Sequence, residues 1–470
     1  MKRKWTLIAV SAALILVVGA ALLIKYLPKK EPKAPTDADK PELSRVDKEK
    51  LLKIDLKNAS GSLVLEKKDK TWSLVPPQAF PLSESSLDDL AYSFASLYAE
   101  RVVDEAPKDL AQYGLATPKA VAVGTFEGGI VKTFLVGDKT PSGDTYYLMV
   151  KDDPKVYTVW MNHGEHFNWT ARDLREKKLP VLNAEEISYM LLTKDGATME
   201  IKEKTSGETS SYQYGFSKYM MTRPYKFTRG VDGEKIDPIL KGIPGIVIDD
   251  FVDDAPKSLA AYGLDRPWAD ILARDKSITF HVLLGAKNAD RYYFKLADAP
   301  NVYLVDGYKV DFLKSVTPFS IADKFTFIPN IDDVDRLDIS SAGVSHSFTM
   351  TRIVKKAAKA GDADETVTSY FVDGKAAEED SFKKTYQAII GLQIEGELTH
   401  APAAGAPVVT TRYFLNKGDS KDVTVSYLPY DKNFYAVSIA GKIEFGITHG
   451  QLDAMLVKVE ALARGEKVTD

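Results

Sequence analysis

The sequence predicts an α+β fold. It reads as three tandem repeat modules of mostly antiparallel sheet with one longer helix each, preceded by a single N-terminal transmembrane helix. Three observations predict this. First, Val103-Asp104-Glu105-Ala106-Pro107-Lys108-Asp109-Leu110-Ala111-Gln112-Tyr113-Gly114-Leu115 returns 149 residues later as Val252-Asp253-Asp254-Ala255-Pro256-Lys257-Ser258-Leu259-Ala260-Ala261-Tyr262-Gly263-Leu264. Self-similarity at a fixed spacing marks a repeated structural unit, whose most regular residues are scaffold before they are active site. Second, short alternating apolar and polar runs outnumber helical stripes, the pattern of half-buried strands. Third, twenty residues from Trp5 to Ile24 carry only Thr6 and Ser11 as polar side chains.

That last run follows Lys2-Arg3-Lys4 and is long enough to cross the hydrocarbon as a helix, so residues 1–27 are expected to be a signal anchor. A cleavage site around Gly19-Ala20-Ala21 is the alternative, but Leu22-Leu23-Ile24 continues the apolar run past it. Lysines 25, 29, 30 and 33 rival the basic N-terminus, so charge does not fix the orientation. The four-residue N-terminal tail makes inside placement of that tail the simpler topology, which puts the remainder outside the cytoplasm. Residues 28–45, with prolines at 28, 32, 35 and 41 among charges, read as a semi-extended stalk.

Module 1, residues 46–184, opens on Lys53–Lys57 and Ser62–Glu66, a hairpin about Ser60-Gly61. Ser83 or Ser85 then caps a helix whose apolar stripe is Leu87, Leu90, Ala91, Phe94, Leu97 and Tyr98. After the signature, strands meet around Glu127-Gly128-Gly129, and Tyr146–Val150 pairs with Lys155–Val159 across Asp152-Asp153-Pro154. Trp72, Trp160 and Trp268 fall in or beside strands and are expected in the core. Module 2, residues 185–331, repeats this with Pro118 matched by Pro267, Gly137 by Gly285 and Tyr146-Tyr147 by Tyr292-Tyr293. Module 3, residues 332–470, keeps the outline, with Leu337-Asp338-Ile339, the helical spacing of Phe382, Tyr386, Ile389 and Ile390, and strands at 434–437 and 443–445. It has no Tyr-Gly-Leu. Its insert Lys355–Thr366 and the stretch Ala401–Pro407 are the expected excursions.

Within the signature, Pro107 suits a first helical turn, Gly114 the left-handed residue that ends one, and Leu115 the hydrophobic contact beyond; Pro256, Gly263 and Leu264 repeat these. A structural lock is therefore expected rather than a ligand loop built on Tyr113 and Tyr262.

Chemistry is thinly written. A net charge of -4 without a basic stripe argues against a nucleic-acid surface, and zero cysteines exclude disulfides, thiolate metal sites and a cysteine nucleophile. His163-Gly164-Glu165-His166 resembles part of a metal site, but lacks a third ligand and the His-Glu-x-x-His spacing, and the sister repeat has Asp306-Gly307-Tyr308 there. Asp362-Ala363-Asp364-Glu365 begins like a calcium loop without its glycine turn or distal glutamate. No serine elbow, phosphate loop or dinucleotide fingerprint occurs. No catalytic, cofactor-binding or metal residues are assigned, and no cofactor is expected.

The Ala-Pro-Lys-x-Leu-Ala-x-Tyr-Gly-Leu-x-x-Pro signature, Leu135-Val136-Gly137-Asp138-Lys139, Tyr146-Tyr147, Val156-Tyr157 and Asp173–Leu179 resemble the bacterial family called domain of unknown function 4340. The resemblance implies a single-span envelope protein, associated with ABC transporter components of the gliding type and without established catalytic residues. A non-catalytic, membrane-anchored extracytoplasmic accessory or scaffold protein with a protein partner is the expectation; an envelope hydrolase or metal-dependent enzyme is the alternative.

Overall fold

A computed structural model of the chain describes residues 40–78, 80–205, 217–356, 365–417 and 421–469. The chain divides into two compact units, Met1–Glu176 and Lys177–Asp470.

The first unit contains β1 Glu42–Arg45, β2 Leu51–Asn58, β3 Gly61–Lys68, β4 Thr71–Leu74, β5 Ser96–Tyr98, β6 Arg101–Asp104, β7 Ala120–Phe126, β8 Val131–Lys139, β9 Thr145–Val150 and β10 Val156–Trp160, with helices α1 Glu84–Ala95 and α2 Met161–His166. Its main sheet is ordered β4-β3-β2-β7-β8-β9-β10-β6, and β1 pairs with β5 apart from it. The alternation predicted at Lys53–Lys57 and Ser62–Glu66 places Ile54, Leu56, Leu63 and Leu65 inward, and β7 likewise buries Ala120, Ala122, Gly124 and Phe126 with the residues between them less buried. Ser83 caps α1 by accepting from Ser86 N–H at 3.2 Å. The helix lays Leu87, Leu90, Ala91 and Phe94 on the sheet. There Phe94, Phe134 and Phe167 pack at ring separations of 5.0 to 5.8 Å, all three fully buried.

The second unit holds two sheets. One comprises β11 Tyr189–Lys194, β12 Ala197–Glu203, β13 Tyr219–Arg223, β14 Arg229–Gly230, β15 Asp250–Asp253, β16 Ala269–Arg274, β17 Thr279–Asn288, β18 Arg291–Leu296 and β19 Val302–Asp306, with α3 Gly233–Gly242 and α4 Pro318–Ile321. Its order is β14-β13-β12-β11-β16-β17-β18-β19-β15. The other comprises β20 Val334–Ser341, β21 Val344–Lys355, β22 Glu365–Val372, β23 Lys375–Ala376, β24 Gly396–Glu397, β25 Val409–Leu415, β26 Asp422–Pro429, β27 Phe434–Ile439 and β28 Lys442–Thr448, with α5 Glu379–Ile390 and α6 His449–Ala463. It is ordered β23-β22-β21-β20-β25-β26-β27-β28-β24. The second and third sheets share one topology strand for strand, and the first follows it except for the outermost strand, so the third module is a true repeat despite its lost signature. One continuous apolar core runs from Leu182 to Val468 through both sheets of this unit.

The predicted architecture needs correction. The expected transmembrane helix, residues 1–27, lies outside the described residues, and among those described no helix is long and apolar enough to cross a membrane. The described residues form four sheets rather than three, because the end of the presumed stalk is a strand: Leu43 and Ser44 are buried where β1 pairs with β5. Leu97 and Tyr98, placed on the helix by spacing, belong to β5. The third module carries two long helices, α6 standing where the first has only the short α2. Trp160 is 49% exposed, being the outward residue at the end of β10. Residues 357–364, including Asp362, Ala363 and Asp364, lie outside the described residues.

The signature folds twice into the same lock. Leu115 N–H donates to Leu110 O and Gly114 N–H to Ala111 O, each at 3.0 Å; Leu264 and Gly263 do the same to Leu259 and Ala260, each at 3.1 Å. These are the two bonds of a Schellman cap, with φ of 69° at Gly114 and 64° at Gly263. The helix they close is a single 3-10 turn, Ala111–Tyr113 or Ala260–Tyr262, and Pro107 and Pro256 lie ahead of it. A second glycine completes each lock, since a Cβ at Gly137 or Gly285 would stand 2.1 or 2.3 Å from the carbonyl oxygen of Tyr113 or Tyr262.

Candidate functional site

The signature tyrosines are consumed by the fold. Tyr113 OH donates to Asp104 Oδ2 at 3.1 Å and Tyr262 OH to Asp253 Oδ2 at 2.9 Å, while the other carboxylate oxygens accept from Ala106 and Ala255 N–H. Each ring also meets a second tyrosine edge-on at 5.1 Å, Tyr147 or Tyr293. Repetition of every contact in both modules marks a structural device.

His163 and His166 converge, though not on a metal. Both lie on α2 three residues apart, and both turn Nδ1 towards the hydroxyl of Ser93 on α1, at 2.9 and 2.7 Å. Ser93 Oγ also lies 3.1 Å from Asp89 O. A serine hydroxyl has one proton and two lone pairs. Donating to the Asp89 carbonyl leaves both lone pairs for two Nδ1–H donors, an assignment that satisfies all three groups with both imidazoles neutral. Ser93 stands as a polar residue within the buried stripe, one turn after Asp89. Being fully buried, it cannot meet a substrate as a nucleophile. Among the described residues no group of three His, Cys, Asp or Glu side chains is placed to hold a metal ion.

Burial pushes the His163 imidazole down to about 4, with neighbouring His166 acting the same way, and burial also lowers His166. The unfolded chain, at the ordinary 6.5, then takes up a proton that the folded chain refuses. Stability from this group is whole above that value, declines as pH falls towards 4, and levels off below. At pH 4.5 the His163 share should be about 2 kcal/mol after allowance for partial solvent access. Urea titrations of the wild type and His163→Gln at pH 7 and pH 4.5 test this. The variant should lose less stability by that amount on acidification, and equal losses would sink the assignment.

The first unit also carries a groove of about 530 Å³ between β4 and α1. Leu74, Leu87 and Ala91 form its buried floor, and the half-buried Trp72, Phe80 and Leu82 its walls. Its rim is charged but balanced: Lys48 pairs with Asp88, and Lys67 with Glu49 at 3.2 Å while standing 5.8 Å from the Trp72 ring centre. Arg175 covers Phe80 at 4.5 Å. The lining holds no histidine, and its carboxylates and ammonium groups neutralise one another. Such a surface offers an apolar floor within a charge-balanced rim. Sequence reading placed Trp72 in the core and did not find the groove, which arises from how the chain returns after β4.

That return segment has a counterpart in the second unit. There Tyr225 OH donates to Glu397 Oε1 at 2.7 Å, and Lys226 and Phe227 N–H donate to the Glu444 carboxylate at 2.8 and 3.1 Å. Arg229 Nη2 donates to the carbonyls of Asp323 and Phe325 at 2.8 and 2.5 Å and lies 4.9 Å from the Phe445 ring centre. The third module thus seats β24 and β28 on the return segment of the second.

The family described as domain of unknown function (DUF4340) matches residues 72–267 and 220–407. The chain belongs to the DUF4340 family. The two DUF4340 matches start in corresponding strands, at Trp72 in β4 and Met220 in β13, and the second runs on into the third module. No curated protein and no solved structure matches this chain.

Proposed function

We propose that this DUF4340 protein is a non-catalytic accessory or scaffold protein at the extracytoplasmic side of the cell membrane. Its repeats would present surfaces to a protein partner of the class of ABC transporter membrane components. The observation that carries this reading is the use made of the return segment. In the second module it is a protein–protein contact with the third, whereas in the first module the equivalent residues Pro76, Pro77, Gln78 and Pro81 are exposed beside an apolar groove. Exposed apolar surface rimmed by polar groups is the mark of an interaction site. The apolar sequence Trp5 to Ile24 supports the membrane location, and the family resemblance supports the partner class. The enzyme alternative rests on His163 and His166, whose Nδ1 atoms are engaged with buried Ser93.

Capture of the full chain from detergent-solubilised membranes tests the reading. A membrane transporter component should co-purify, should be lost when residues 1–39 are removed, and should persist in the His163→Ala/His166→Ala double variant. Recovery of the chain alone, with stoichiometric zinc or hydrolytic activity that the double variant abolishes, would favour the enzyme instead.

A further inference from the structure

We propose that the outer edge of β4 takes up an extended segment of a partner protein as a ninth strand, antiparallel to β4, with alternate apolar side chains seated in the groove. This rests on the partner-binding reading above and names the chemistry of the contact.

The sister sheets supply the template. Beyond β13 lies β14, which pairs Gly230 with Met220 and Arg229 with Met221, antiparallel; beyond β22 lies β23. The first sheet stops at β4. The reason lies in the return segments, which align between Pro76 and Pro224 at one end and the helix caps Ser83 and Asp232 at the other. Their shared bridges are Leu82 with Arg175 and Val231 with Ala322. Counted back from the helix caps, Phe80 and Pro81 are therefore the sequence counterparts of Arg229 and Gly230, which form β14. Pro81 has no N–H to give a ladder, and Pro76 and Pro77 constrain the backbone ahead of it. The strand position is vacated, and the groove is what remains.

The edge itself is prepared for pairing. Asp69 and Lys70, both at positive φ, make a two-residue turn between β3 and β4. Val75 N–H donates to Val64 O at 2.9 Å. Antiparallel alternation then points the backbone N–H and C=O of Trp72 and Leu74 away from β3, towards the open side. The prolines that follow Val75 limit the ladder to a short segment, on the order of four residues. The sister segment gives the side-chain pattern: Tyr225, Phe227 and Arg229 are buried in alternation with the more exposed Lys226 and Thr228, and Gly230 and Val231 continue buried.

The described N-terminal end of the chain lies away from this edge. Lys40 is held at the other side of the sheet, paired with Glu100 at 2.8 Å and lying 6.0 Å from the Trp160 ring of β10. From β10 to β4 is six strand spacings, on the order of 30 Å.

The probe is a synthetic peptide with the sequence of Tyr225–Val231, added to the purified full chain and followed by amide hydrogen exchange. The peptide should protect the Trp72 and Leu74 amides, and backbone N-methylation at alternate positions of the peptide should weaken binding by about tenfold or more. Phe80→Arg combined with Pro81→Gly gives the first module the two residues that form β14 in the sister segment. It should close the edge from within, protect the same amides without peptide, and abolish binding. Absence of protection at millimolar peptide, or equal binding to this variant, overturns the proposal. So does finding those amides already protected in the wild type by a second copy, seen as a concentration-dependent dimer, or by residues 1–39, seen on their removal. A variant that still captures the membrane partner defeats strand addition while leaving the scaffold reading intact; a wild type that captures none defeats the scaffold reading itself.

Discussion

Gly137→Val and Gly285→Val are each expected to destabilise their own unit by about 4 kcal/mol or more, the range reached only when a core is overfilled or a backbone forced. The added Cβ at Gly137 meets the Tyr113 carbonyl oxygen at 2.1 Å and Leu115 Cγ at 3.0 Å; at Gly285 it meets the Tyr262 oxygen at 2.3 Å and Leu264 Cγ at 2.8 Å. The obstacle is main chain held by the Schellman bonds, not the free end of a side chain, so relief requires the cap to open. The effect should be local: calorimetry should show Gly137→Val lowering the transition of the first unit and Gly285→Val that of the second. Gly233→Ala, where an added Cβ meets nothing within 4 Å, serves as control. A loss below about 1 kcal/mol at either strand glycine would mean that the lock is not rigid.

The second large effect concerns Arg229. Its guanidinium is almost fully buried, and burial brings its pKa down to about 10, a sign of how little water reaches it. Arg229→Met keeps the bulk but leaves the carbonyls of Asp323 and Phe325 without this donor. Losing these two charge-assisted hydrogen bonds to part-buried carbonyls should cost about 2 to 4 kcal/mol in the second unit. Arg229→Lys should recover only part, since an ammonium lacks the planar fork that reaches both carbonyls while stacking on Phe445. Urea midpoints of the second unit measure both. A change in Arg229→Met within about 0.5 kcal/mol would mean that the bonds to Asp323 and Phe325 contribute little to the second unit.

The sequence was most legible where local chemistry decides structure. Gly114 and Gly263 are left-handed because the chain must turn back at once, and Ser83 caps α1 because its hydroxyl reaches Ser86. Leu97 and Tyr98 misled because apolar residues at helical spacing also suit a strand. What made them β5 is pairing with β1, some fifty residues away, and no local pattern carries that. The third module's kinship was likewise hidden: its sheet order is kept by hairpins such as Ser341 with Val344 and Val372 with Lys375, which need turns but no Tyr-Gly-Leu. Of the candidate site, His163 and His166 were visible and Ser93 was not, since its role depends on where α1 meets α2. The groove was legible only as Pro81, a missing N–H whose meaning appears when the sister segment is laid beside it.

The uninterrupted core of the second unit has a consequence for synthesis. A chain emerging N-terminus first has the whole first unit by Glu176. The second module, though complete in its own strands, must wait for Glu397, Glu444 and Phe445 before its return segment is covered. At ordinary translation rates of about 5–20 residues per second, the interval from Val231 to Phe445 lasts roughly 10 to 40 s. Throughout it Tyr225 and Phe227 lack the cover that Glu397, Glu444 and Phe445 later give, and the nascent second repeat passes through a state whose flank is as open as the β4 edge of the first.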